Sequence, residues 1–209
     1  SLVGSEMCIR DRCERDSKSV ARHHFSIVKG LGNNRLMETS TPTLKLADLS
    51  EAKTIANLSR DEIEVGIGWR WRADAIKAMI RDPDAIVVCA YVPMGDKSAD
   101  QFAGFGIMQY ELDHAHLNLL AVVPSYRRRG IARELLLWLE KSALIAGVDT
   151  VALEVRAVNV PARAFYRNAG YQENDYLRHY FRTPHGKTEA AYRMGRSLRE
   201  TRFRPPKVQ

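Results

Sequence analysis

The chain has 209 residues, 45% hydrophobic and 27% charged, with a formal net charge of +7. That length and apolar content suit one well-packed domain and leave too little for two of ordinary size. No apolar run approaches the roughly 18 to 20 residues that cross a bilayer, and no charged, apolar, then small leader is recognisable, so a cytoplasmic protein with no membrane partner is expected. Cys8, Cys13 and Cys89 show no metal-ligand spacing, and Cys89 sits in an apolar run, which points to neither disulfide nor zinc. The positive charge is unevenly placed. Residues 193–209 hold six basic side chains against Glu200 alone, while residues 37–192 hold 19 basic and 20 acidic groups. Basicity confined to an end reads as a solvated tail, so a nucleic-acid partner is not expected.

Residues 1–12 look foreign to a protein gene: Leu2 to Asp11 is what a transposon-type sequencing adapter would encode. Residues 13–42 are polar and aperiodic, with a Gly30-Leu31-Gly32-Asn33-Asn34 run, and are expected to be a disordered or non-native leader, with Met37 a plausible start. Thr43 to Leu46 alternates as an edge strand, and Asp48 with Glu51 forms a capping-box signal before a helix bearing Ala52, Ile55 and Ala56. After the glycine-broken Val65-Gly66-Ile67-Gly68-Trp69, a second helix over 71–81 puts Ala75, Ile76, Met79 and Ile80 on one stripe.

Strands are expected over 85–92 and 102–112, then over 117–123, whose nearly all-apolar composition suits a strand covered on both faces. The basic turn Arg127-Arg128-Arg129-Gly130 leads into a helix with Ala132, Leu135, Leu136, Leu139 and Ala143 at core spacing, closed by Gly147. Residues 150–156 alternate, with Val151, Leu153 and Val155 on one face and Ala152, Glu154 and Arg156 on the other. Asn159 and Pro161 open a helix that ends at Gly170, and strands over 171–180 and 190–194 flank a turn at Pro184-His185-Gly186. The order of elements is that of an α/β domain on a mixed sheet.

A strand, a glycine-bearing basic turn and a helix start make a ready anion site, because free N–H groups and the helix dipole converge there. The pattern Arg127-x-x-Gly130-x-Ala132 after Val-x-Pro resembles the signature of the GNAT acetyltransferase family. Leu153-Glu154-Val155-Arg156-Ala157-x-Asn159-x-x-Ala162-x-x-Phe165-Tyr166-x-x-x-Gly170-Tyr171 is similar to the second half of the same fold, most closely in bacterial ribosomal-protein alanine N-acetyltransferases. The resemblance covers about residues 43–198, leaving 199–209 as the tail.

The resemblance implies a GNAT-like, mostly antiparallel sheet with helices on both faces and acetyl-CoA as co-substrate. It further implies acetyl transfer to an amine, best matched by a protein N-terminal α-amine, possibly of a ribosomal protein; a small amine or aminoacyl-tRNA acceptor, or a non-catalytic acyl-CoA binder, is the alternative. By the same resemblance Leu120, Ala121 and Val122 would pair with the pantetheine amides, and Arg128, Arg129, Gly130, Ile131, Ala132 and Arg133 would hold the pyrophosphate. Asn159 would touch the cofactor, Glu154 would accept the amine proton, and Tyr166 would protonate the departing thiolate. On residue type alone Glu154 could instead be an ion-pair partner of Arg156 or Arg133, and Tyr166 a core aromatic. Gly68-Trp69-Arg70-Trp71 lacks the Pro-Trp pair of the similar enzymes, and His114 and His116 stand where acidic residues are common. The two histidines suggest titration or surface exposure on one strand face, without a third metal ligand.

Overall fold

The computed structural model describes residues 41–93 and 100–199. The readings made for residues 1–40, for the 95–98 turn and for the tail beyond Arg199 lie outside the described residues.

Strand β1 (Thr43–Leu46) leads to a short 3₁₀ turn, Leu49–Glu51. The capping box forms as the sequence implies: the Ser50 N–H donates to Asp48 Oδ1 at 2.9 Å, and the Asp48 N–H donates to Glu51 Oε2 at 2.6 Å. Helix α1 (Ala52–Glu62) follows and buries Ala52, Ile55 and Ala56. Helix α2 (Ala73–Arg81) starts two residues later than the apolar stripe suggests, because Arg72 keeps an extended backbone and acts as its N-cap.

Strands β2 (Ala85–Val92), β3 (Gln101–Tyr110) and β4 (Ala115–Val122) are followed by α3 (Ile131–Ile145), β5 (Thr150–Arg156) and α4 (Val160–Asn168). Strands β6 (Gln172–Arg182) and β7 (Thr188–Ser197) close the chain, both extending beyond the boundaries expected of them. β3 ends before Leu112, which is 88% exposed, because Glu111 N–H bonds the His114 carbonyl at 2.8 Å and turns the hairpin.

The seven strands form one sheet in the order β1-β2-β3-β4-β5-β7-β6, antiparallel except for β4 beside β5. One face is covered by α3 and α4, where Leu135, Leu136, Leu139, Val151, Leu153 and Met194 are buried. Full burial of each such aliphatic side chain contributes about 1.5 to 3 kcal/mol. The other face is covered by α1 and α2 over β2, β3 and β4, with Ile55, Ile76, Val87, Phe105, Ile107 and Leu119 buried. That cover stops short of β5, so Ala152, Glu154 and Arg156 point away from the apolar side of their strand. Among the described residues no helix is long and apolar enough to cross a membrane.

β3 passes so close to β4 that a side chain is excluded at one position. A Cβ placed on Gly104 would sit 2.6 Å from the Ala121 carbonyl oxygen, a backbone atom with no freedom to rotate away. A Cβ on Gly106 would meet the Leu139 Cδ1 methyl at 2.7 Å, the far end of a side chain that can turn. Gly104→Ala is therefore expected to destabilise the fold by about 1 to 3 kcal/mol, and Gly106→Ala by less. Urea denaturation of both variants checks this; no loss in Gly104→Ala, or the reverse ranking, would contradict the close approach.

Candidate active site

β4 and β5 start side by side and then part. Their register holds only for Ala115 opposite Val151 and His116 opposite Ala152, although β4 continues to Val122 and β5 to Arg156. Backbone groups on facing strand edges need partners, so a wedge opened between two central strands is a place for a ligand that carries amides of its own. The wedge opens towards the carboxyl ends of both strands, and α3 and α4 begin just beyond those ends. Two helix N-termini thus border its mouth.

The turn between β4 and α3 is built to present N–H groups. Arg128 (φ 64) and Gly130 (φ 83) both adopt left-handed backbone, and the Arg133 and Glu134 N–H groups bond the Gly130 carbonyl at 2.9 and 3.1 Å. The N–H groups of Arg128 through Ala132 meet no acceptor among the described residues. These five amides are the donors the turn leaves open, whereas the Arg133 amide is already engaged and its exposed side chain is what remains to offer. Arg127 is committed too, donating Nε to the Val122 carbonyl at 3.1 Å and pairing through Nη2 with Glu62 of α1. Of the strand residues expected to pair with a pantetheine, Val122 therefore has its carbonyl occupied, while Leu120 and Ala121 lie on the same unpaired stretch of β4.

Glu154 lies two residues past the last β4–β5 pair, its side chain only 8% exposed. Arg193 Nε of β7 donates to its Oε1 at 2.9 Å, and His116 Nε2 of β4 lies 3.1 Å from its Oε2. The ion-pair partners considered from sequence are thus corrected: Arg156 forks onto Glu189 and reaches the Val65 carbonyl at 2.7 Å, and Glu154 answers to Arg193 and His116. Burial alone pushes the carboxyl up, but the hydrogen bonds and charges of His116 and Arg193 outweigh it and hold the group at about 2. A carboxylate so stabilised is a constant anion and a weak base. Direct transfer of a proton to it from an α-ammonium group of pKa about 8 would be uphill by about 8 kcal/mol.

Tyr180 also reaches Glu154, and burial followed by that carboxylate's charge pushes its phenol up. A break in the β6–β7 register between Leu177 and Phe181, with His179 in left-handed backbone, turns Tyr180 out of the strand's alternation. Sequence reasoning missed Arg193 and Tyr180 as members of this site, and the expected surface exposure of His116 gives way to a side chain 23% exposed and bonded inward. His114 stands edge-on to His116 at 6.4 Å between ring centroids and pairs with Asp113 at 2.7 Å.

Tyr166 lies on the α3 and α4 face of the sheet, 8% exposed, edge-on to Phe165 and Tyr171 at 5.1 and 5.7 Å. It is part of the core, and burial pushes its phenol up, keeping it protonated. Glu154 projects from the opposite face of β5, so the two groups nominated from the sequence lie on opposite faces of the sheet. Asn159 caps α4 through Oδ1, which accepts from the Ala162 N–H at 3.1 Å.

Comparison with known proteins agrees with this geometry. Residues 52–171 match the description "Acetyltransferase (GNAT) family". A [ribosomal protein bS18]-alanine N-acetyltransferase of Salmonella typhimurium is 42% identical over 91 residues, which are 44% of this chain and 62% of that enzyme. The N-terminal acetyltransferase B complex catalytic subunit naa20 of Schizosaccharomyces pombe is 35% identical over 85 residues, 41% of this chain and 47% of that one. The match thus spans about three fifths or less of these relatives' own length. The solved ribosomal-protein-S18-alanine N-acetyltransferase of Escherichia coli superposes with a TM-score of 0.59 at 26% identity, covering 81% of this chain and 99% of that one. Arabidopsis thaliana NAA60 gives a TM-score of 0.65 at 19% identity, covering 75% and 99%, a likeness of fold. With a family match over more than half its length, the wedge between β4 and β5, and the amide-lined turn before α3, this chain belongs to the acetyltransferase (GNAT) family.

Proposed function

We propose that the protein is an acetyl-CoA-dependent N-acetyltransferase whose acceptor is a protein N-terminal α-amine, with a ribosomal protein as the leading candidate. The observation that carries this reading is the wedge itself, with an amide-lined anion cradle at its mouth and a buried carboxylate on its open face. The Salmonella, Escherichia and Schizosaccharomyces relatives, named as ribosomal-protein alanine or N-terminal acetyltransferases, support the acceptor class. Acetyl-CoA supplies an activated acyl thioester. The residues present fit it: the N–H groups of Arg128, Arg129, Gly130, Ile131 and Ala132 would hold the pyrophosphate, with Arg133 and its neighbours adding charge, and the free β4 edge at Leu120 and Ala121 would pair with the pantetheine amides. Asn159, the cap of α4 just beyond β5, would touch the cofactor as well. The catalytic domain in this reading is residues 43–198, and the site works in the cytoplasm.

On the acceptor side, Glu154 provides the fixed negative charge towards which an ammonium group and its departing proton are drawn. On the other side, Tyr166 holds a phenolic proton at neutral pH and returns it to the thiolate as the amide forms. An α-amine needs little help, since deprotonating it at pH 7 costs about 1 kcal/mol, against about 4 to 5 for a lysine ε-amine.

Three experiments test this. Mass spectrometry after incubation with acetyl-CoA, an N-terminal peptide panel, lysine-containing peptides with blocked termini, and small polyamines should find acetyl on free α-amines first. Acetylation of polyamines alone would reassign the acceptor, and no acetylation of any amine would remove the enzyme reading. Gly130→Glu should weaken acetyl-CoA binding at least tenfold by calorimetry while the fold survives, because a Cβ there meets nothing within 4 Å and only the left-handed backbone is strained. Tyr166→Phe should keep that affinity and lower turnover by about 10²- to 10⁴-fold. Unchanged affinity in the first variant would cancel the phosphate assignment, and unchanged turnover in the second would cancel the acid.

A further inference from the structure

A row of polar side chains crosses the open face of the sheet: Asp175 of β6, Arg193 of β7, Glu154 of β5 and His116 of β4. Its links are 3.9 Å from Asp175 Oδ2 to Arg193 Nη1, 2.9 Å from Arg193 Nε to Glu154 Oε1, and 3.1 Å from Glu154 Oε2 to His116 Nε2. Asp175 and Arg193 thus lead from β6 and β7 to one carboxylate, and the second oxygen of that carboxylate lies against one imidazole.

From this geometry we infer that His116 is the group that takes the proton from the acceptor amine, and that Glu154, clamped by Arg193, is the positioning residue that holds the imidazole. The inference rests on the acetyltransferase reading and refines the roles within it. Arg193 Nε and His116 Nε2 each lie against one oxygen of Glu154, and the guanidinium cannot give up its own proton, so the carboxylate is held as an anion between two nitrogen-bearing side chains. Nε2 of His116 lies 3.1 Å from Glu154 Oε2, so the neutral tautomer protonated on that side carries its lone pair on Nδ1, which has no partner among the described residues apart from the edge-on ring of His114. The imidazole stands beside the last β4–β5 pair, where the wedge begins, and remains partly open.

The step balances with the acyl-CoA thioester as co-reactant. The amine nitrogen forms its bond to the acetyl carbon, the carbon–sulfur bond breaks, the proton on nitrogen passes to His116 Nδ1, and the thiolate takes the phenolic proton of Tyr166. Glu154 stabilises the imidazolium so formed. The charged and titratable groups around that ring are Glu154 on β5, Arg193 on β7, Asp175 and Tyr180 on β6, and Glu111, Asp113 and His114 at the turn before its own strand.

The test uses the full chain, acetyl-CoA and an acceptor peptide, with kcat/KM followed from pH 5 to 9; an acceptor whose amine titrates below about pH 6 removes the substrate's own limb. His116→Gln is expected to lower turnover by about 10²- to 10⁴-fold with acetyl-CoA affinity retained, and to lose the wild-type acid limb. Turnover of His116→Ala should be restored in part by added imidazole, rising with the basicity of the imidazole used, which a merely structural histidine would not show. Glu154→Gln should keep an acid limb but move it to lower pH, because the imidazolium loses its anion. Arg193→Met should move it to higher pH, because the anion is then shared with no competitor. His114→Gln should leave the limb in place. Turnover of His116→Gln within about threefold of wild type, or loss without imidazole rescue in a variant that still melts like wild type, overturns the assignment while leaving the acetyltransferase reading intact. An inactive wild type overturns that reading instead.

Discussion

Everything distinctive in this molecule follows from two central strands that separate after two residue pairs. A sheet normally satisfies its backbone along the whole strand; here β4 and β5 forgo most of their shared ladder and leave polar edges facing one another across a gap. The lost ladder must be compensated, or the sheet would divide into β1 to β4 on one side and β5 to β7 on the other. Behind the gap, Glu140 of α3 receives Arg196 of β7 at 2.8 and 2.9 Å and the Tyr171 hydroxyl at 3.0 Å, which fastens the helix lying on the first half to the strands of the second. Burial pushes Glu140 up, and Arg196 and Tyr171 oppose it. In front, Arg156 of β5 reaches the Val65 carbonyl after α1, and Gly68 N–H bonds the Arg182 carbonyl of β6 at 3.2 Å. The wedge is therefore braced on both faces by contacts that cross it without filling it.

The bracing explains why the site's parts come from so many elements. A buried Glu64 accepts from Ser59 Oγ at 3.0 Å and from the Arg70 N–H at 2.7 Å, shaping the connection between α1 and α2 that carries Val65 and Gly68 to their partners. Trp69 in that connection lies between the Arg60 and Arg72 guanidinium groups, 5.4 and 5.3 Å from the ring. Stacked cations stiffen a segment that otherwise has two glycines and no regular structure.

Much of this was legible from local patterns. Asp48 and Glu51 announced their capping box, Asn159 its cap, Gly130 and Gly147 their left-handed positions, and the alternation of Val151, Leu153 and Val155 assigned Glu154 to the face away from the core. All of these depend on residues a few positions apart. What was not legible depends on strands far apart in sequence. Nothing in the hairpin of β6 and β7 says that the second strand inserts between β5 and the first, yet that order is what places Arg193 opposite Glu154. The irregular register that redirects Tyr180 is equally silent, because Leu177-Arg178-His179-Tyr180-Phe181 reads as an uninterrupted strand. Arg156, two residues from Glu154, was the obvious local partner, but Glu189 on β7 claims it.

The consequence reaches the chemistry. A glutamate at this position in an apolar strand would have its carboxyl raised by burial and would serve as a base near neutral pH. The same residue beside Arg193 and His116 is pulled to about 2, so its conjugate acid is too strong to form at the expense of an amine. Local sequence supplies the carboxylate; the partner strands decide whether it takes protons or holds the group that does. With an imidazole 3.1 Å from its second oxygen, the carboxylate is placed to hold that ring in position. A weakly basic glutamate and a catalytic proton transfer are thus compatible on this sheet, provided the proton stops one residue short of the carboxylate.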